Sequence, residues 1–150
     1  MPELFRSMQK ENAVPRACPT PRCLGVRVGP EAFDDIALQE DGLLHPGTGG
    51  MTVVPDDPMF IPEWRRPKAL PGGKSKDPLW VMSHLDVPDQ LVYVPDDPNE
   101  NGIVIHGLLE PAAIVTEAQF QADLASTKDD WREVPLTNDA PGQTPSADAG

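Results

Sequence analysis

Proline punctuates this chain so often that long regular elements are excluded over most of its length. Nineteen prolines and 12 glycines make up about a fifth of its 150 residues. Each proline fixes φ and removes a backbone donor, so it tends to end a helix or to confine a strand to an edge or a terminus. The combined share stays below the roughly 25–30% that marks low-complexity disorder. The expectation is therefore an ordered domain of short strands, few short helices and long loops. The length suits one domain with one core.

Charge narrows the partners. Asp and Glu number 24 against 12 Lys and Arg, a formal net charge of -12. Nucleic-acid phosphates and anionic lipid would be repelled, so neither direct nucleic-acid binding nor membrane binding is expected. A basic protein partner would suit the surface. The opening segment MPELFRSMQK has no apolar h-region, so no Sec signal is expected. No run approaches the roughly 20 apolar residues of a membrane span. A cytoplasmic location is the expectation. Cys18 and Cys23 are the only cysteines, with four residues between them. A zinc site would need two more ligands, and His45, His84 and His106 lack ligand spacing, so no metal is expected. The reading is two reduced thiols in a loop, with a local disulfide as the alternative.

The order of elements can be read from periodicity and breakers. Glu3–Ser7 predicts a first strand, residues 11–23 a loop, and Leu24–Val28 a second strand. Pro30 opens a predicted helix over EAFDDIAL, with Phe33, Ile36 and Ala37 on one face, ending near Asp41-Gly42. Gly49–Val54 predicts a strand entered through PGTGG. Pro55–Asp77 reads as a long loop, a length more often functional than idle. Leu79–Ser83, Gln90–Val94 and Gly102–Leu109 predict three more strands. VPDDP occurs at Val54–Pro58 and again at Val94–Pro98, in both places as a strand-ending turn. Thr116–Thr127 is the clearest helix, with Thr116 and Gln119 as a capping box and Phe120–Leu124 as an i,i+4 apolar pair. The domain is expected over 1–134, and a disordered tail over 135–150, which lacks large apolar residues after Leu136. Without βαβ alternation, the fold class is α+β with a mostly antiparallel, split sheet.

No single motif identifies an enzyme. GxSxG, a P-loop, GxGxxG and HExxH are all absent. PGTGG reads first as a tight turn and second as a phosphate cradle. Arg6 reads as an ordinary surface arginine, with a ligand-binding cation as the alternative. Trp64-Arg65-Arg66 divides evenly between an anion site and internal charge pairing. His106 reads as a core histidine, and Glu110 as a solvated edge carboxylate.

The order of these pieces carries more. ELFRS, then DGLLHPGTGGMTV, then VPDQLVYVPD, then IHGLLEPAAIVTEAQFQADL resembles the Tse-type effector toxins of bacterial type VI secretion, which have an ADP-ribosyltransferase-like fold. The resemblance covers roughly residues 3–132, and Asp41–Val53 is its most specific part. It implies an interbacterial toxin that uses NAD and acts in the cytoplasm of a target cell, secreted without a Sec signal and matched by a cognate immunity protein. It implies that Arg6 contacts the phosphates or ribose of NAD, and that Gly49, Gly50 and Thr52 shape the nicotinamide pocket. Glu110 and Thr52 would be the catalytic pair, and an aromatic face of the long loop, Phe60 or Trp64, would suit stacking on the nicotinamide. Met51 departs from the family, which has a second hydroxyl residue there. The secreted toxin is apolar where Glu110 stands. The residue types suit the chemistry, because cleaving the nicotinamide–ribose bond builds positive charge on the ribose that a carboxylate stabilises. Arg6 would hold the anionic diphosphate. The alternative is a non-catalytic acidic binding module of the same shape that engages a basic protein.

Overall fold

Glu3–Ser7 (β1) carries Leu4 and Phe5 on opposite faces, each buried in a different apolar cluster. Strand alternation of this kind makes β1 the central plank of a two-faced sheet. The computed structural model describes residues 2–29 and 35–136. After β1 come Lys10–Glu11 (β2) and Val14–Pro15 (β3), which pair as a small hairpin. A four-residue helix, Pro21–Leu24 (α1), leads to Val28–Gly29 (β4), which pairs in parallel with Ile36–Ala37 (β5). The remaining elements are Met51–Pro55 (β6), Leu79–Ser83 (β7), Leu91–Pro95 (β8), Gly107–Pro111 (β9), Glu117–Ala125 (α2) and Arg132–Glu133 (β10).

Six strands form one antiparallel sheet in the order β10-β7-β1-β6-β9-β8. The protein is thus mixed α/β, with a mostly antiparallel sheet and few short helices. One face buries Leu4, Met51, Val53, Trp80, Met82 and Leu109 beneath Phe120 and Leu124 of α2 and Trp131. The other face buries Phe5, Val54, Leu79 and Val81 beneath Ile61 of the long loop. Thr116 caps α2 by accepting a hydrogen bond from the Gln119 N–H at 3.1 Å, so half of the capping box forms. The Gln119 side chain turns forward to Asp123 instead, at 2.8 Å.

Four expectations about elements need correction. Residues 11–23 are not simply loop, since they hold β3, the end of β2 and the start of α1. The strand predicted over Leu24–Val28 begins only at Val28, as β4: Leu24 ends α1, and Gly25 follows at φ +70. Ile36 and Ala37 are strand rather than helix, held by β4 and by a bridge from Ile36 to Gly49; residues 30–34, where the predicted helix opens, lie outside the described residues. Long-range pairing overrides the local helical spacing here. The strand predicted over Gly102–Leu109 begins only at Gly107, after the Asn99 side chain closes a turn on Asn101 and Ile103. At the C-terminal end, Val134 donates to the Leu79 carbonyl, and Leu136 packs against the smaller cluster. Residues 137–150 of the predicted tail lie outside the described residues.

The cysteines are disulfide-bonded, Cys18 to Cys23, which corrects the expectation of reduced thiols. The bridge closes the turn into α1, where the Cys18 N–H also points at the Cys23 sulfur. Both VPDDP segments do end strands, β6 and β8. In the first copy Asp57 caps a short 3-10 turn by accepting from the Met59 N–H.

Candidate functional site

The sheet splits beside Arg6. β1 pairs with β7 over five residues, Glu3 to Ser7, but with β6 only at Leu4↔Pro55 and Phe5↔Val54. Beyond Phe5 the guanidinium of Arg6 takes over from the backbone ladder. Its Nη1 donates to the Thr52 carbonyl at 2.6 Å and to Thr52 Oγ1 at 2.9 Å. Its Nη2 donates to the carbonyls of Leu24 at 3.1 Å and Gly25 at 3.4 Å. Arg6 is 5% exposed, so the surface reading of this residue is corrected. Burial, and then the nearby charge of Arg65, push its pKa down to about 9, with Asp35 opposing. At neutral pH it is still a cation.

Arg6 forms a wall between cavities. On one side lies a cavity of about 200 Å³ that also touches Thr52, Trp64, Arg65 and His106 over a floor of Phe5, Val54 and Ile61. Trp64 is 72% exposed, an unusual state for so large an apolar side chain. On the other side lies a cavity of about 260 Å³ among Arg16, Arg22, Arg65, Ser7 and Asp77. A third, of about 480 Å³, continues past Gly25 among Arg22, Arg27, Asp35 and Arg65. A separate cavity of about 490 Å³ near Lys68, Lys76 and Leu136 contains no sequence-predicted site residue.

Arg6, Thr52 and Trp64 are therefore brought together, although 46 residues separate the first two. Glu110 does not line that cavity. It is 6% exposed, not solvated, and its Oε1 accepts from the Gly47 N–H at 2.9 Å. Gly49 and Gly50 serve close backbone approach. A Cβ on Gly49 would collide with the Asp35 carbonyl, and one on Gly50 with the Leu109 carbonyl. The Gly50 N–H is bonded to Asp35 O, so with Gly47 bonded to Glu110 two donors of PGTGG are already committed.

Arg66 points away from the cleft. It donates to the carbonyls of Met59, Ile61 and Pro71 and orders the long loop, and among the described residues it makes no ion pair. Its neighbours Trp64 and Arg65 are thereby presented to the cavity. His106 is not a core histidine; it is partly exposed, with Nδ1 3.1 Å from Asp96. The sequence reading missed Arg16, Arg22 and Arg27. Their signal was the density of arginine early in the chain, since four of the seven fall within residues 6–27.

Among known proteins, no family model and no curated sequence matches this chain. No helix among the described residues is long and apolar enough to cross a membrane. No group of three or more His, Cys, Asp or Glu among the described residues is placed to hold a metal ion.

Proposed function

We propose that the chain is an ADP-ribosyltransferase-like bacterial toxin that binds NAD in the cleft of Arg6, Thr52 and Trp64. In this reading it is delivered by type VI secretion, acts in the target cytoplasm, and is restrained in its producer by an immunity protein. The observation that carries the reading is Arg6, a buried cation that props open a split sheet and fixes Thr52 beside an exposed tryptophan. Bound NAD would supply an ADP-ribosyl group with nicotinamide as its leaving group.

The residues fit the two ends of that molecule differently. Arg65 is exposed and borders the cavities on both sides of Arg6, so it offers a diphosphate a charge-assisted contact. The exposed indole of Trp64 offers a face for an aromatic ring. Thr52 Oγ1 accepts from Arg6, and among the described residues no acceptor takes its own proton, so that proton is available to a ligand hydroxyl. A cavity of about 200 Å³ is small for the whole dinucleotide. It shares Arg6, Ser7 and Arg65 with the next cavity, so a longer ligand would span both.

One observation favours the non-catalytic alternative. No carboxylate lines the Trp64 cavity, and Glu110 is engaged by Gly47. A binding module of the same shape would hold NAD, or a protein partner, without cleaving it. Nicotinamide release by the purified protein separates the two, alongside growth of a susceptible bacterium expressing it. The toxin reading expects NAD consumption and growth arrest, both reduced by Trp64→Ala and Thr52→Val. Binding without consumption favours the module, and a folded protein that neither binds nor consumes NAD contradicts the proposal.

A further inference from the structure

Five of the seven arginines gather around Gly25, in a chain whose acids outnumber its bases two to one. Arg6, Arg16, Arg22 and Arg65 line one cavity, and Arg22, Arg27 and Arg65 the next. Among the described residues, the carboxylates lining them are Asp77 in the first and Asp35 in the second. Asp35 pairs with Arg27 at 3.4 Å, the one ion pair among the described residues that any of these arginines makes. Among the described residues, five cations against two anions leave a surplus of three positive charges. Like charges drawn together repel: burial is the main cause that lowers the Arg6 pKa, and the charge of Arg65 lowers it further against the opposing effect of Asp35.

Independent features mark the same place. Arg6 Nε and Ser7 Oγ are buried without a hydrogen-bond partner, and both residues line the first cavity. Buried polar atoms without partners are rare, and each calls for a reason. Between the cavities, Gly25 leaves bare backbone: a Cβ there would lie 3.0 Å from Arg6 Nη2 and 4.0 Å from Arg65 Nη2. The disulfide closes the turn that presents Arg22, the residue common to both cavities with Arg65.

We infer that this arginine basin, which adjoins the Trp64 cavity and shares Arg6, Ser7 and Arg65 with it, is a binding site for a small molecule with a terminal diphosphate. A terminal phosphate adds about 1.5–2 negative charges near neutrality, so a terminal diphosphate carries about three, against about two for the bridging diphosphate of a dinucleotide. Three matches the surplus. Guanidinium forks suit phosphate oxygens bidentately. A polynucleotide fits less well, because its phosphates beyond the basin would meet an acidic surface. The site stands whether or not the neighbouring cleft takes NAD.

Calorimetric titration of inorganic pyrophosphate and of ADP at low ionic strength tests this. The variants are Arg22→Ala with Arg27→Ala, both at exposed positions, and Arg132→Ala as an exposed arginine elsewhere. Wild type is expected to bind both probes. The double variant should bind about tenfold or more weakly, as loss of charge-assisted contacts implies. Arg132→Ala and Trp64→Ala should bind pyrophosphate as wild type does, the latter even if NAD binding is lost. Failure of the folded wild type to bind pyrophosphate would overturn the site. So would equal binding by the double variant, or tighter binding of a short single-stranded oligonucleotide than of ADP.

Discussion

Arg6 directs four hydrogen bonds into the protein, to Thr52, Leu24 and Gly25. Replacing it by methionine would strip donors from three carbonyls while removing a cation that burial already disfavours. The first effect dominates, and Arg6→Met should lower unfolding free energy by about 2–3 kcal/mol in urea titrations. Thr52→Val removes one neutral acceptor and leaves the Thr52 carbonyl bonded, so about 1 kcal/mol is expected. Thr52 and Trp64 are therefore cleaner probes of ligand binding than Arg6. The Leu-Phe-Arg-Ser pattern gave no sign that Arg6 is buried, because its acceptors lie 18 to 46 residues away. Elsewhere, burial and then the charges of Asp86 and Asp129 raise the pKa of Asp130. A raised carboxyl pKa means that the ionised form destabilises the fold. That penalty is present above the folded pKa, and it vanishes below the ordinary value of 3.8, where folded and unfolded states are both protonated. Asp130→Asn should thus stabilise at pH 7 by a few tenths of a kcal/mol, since the site is mostly exposed. The gain should be absent at about pH 3.

At the scale of elements, the turn that ends in α1 depends on its disulfide. Closing so short a loop stabilises by about 2 kcal/mol through the unfolded chain, so reduction should lower the melting temperature by several degrees. An unchanged melting curve with fully reduced thiols would contradict this. Gly50→Ala should be more disruptive than its size suggests. Its Cβ would meet the Leu109 carbonyl on β9, so a loss of at least about 2 kcal/mol is expected. Helix α2 was legible because its cap and its Phe120–Leu124 pair are local. The strand at Ile36 was not, because its partners are Val28 and Gly49 and its own sequence has helical spacing. The disulfide was misread as two reduced thiols, because cysteine spacing alone does not decide pairing.

At the scale of the molecule, the short strands followed from proline and turn positions, and the mostly antiparallel character from the lack of βαβ alternation. The strand order did not, because it depends on pairings such as β1 with β7 that span some 75 residues. Meeting points of distant segments were similarly hidden. Arg6, Thr52 and Trp64 share a cavity, while Arg16, Arg22 and Arg27 converge on Arg65 only after folding. The central claim, that NAD occupies the cleft beside Trp64, has a convenient reporter. Trp80 and Trp131 are 1% and 4% exposed, whereas Trp64 is 72% exposed, so it alone among the tryptophans is accessible. Titrating NAD while recording tryptophan fluorescence should give saturable quenching of the solvent-exposed emission. Trp64→Phe should abolish that signal, and Thr52→Val should shift the midpoint to higher NAD. Emission that does not change with NAD, or saturable quenching that persists in folded Trp64→Phe, would contradict the account.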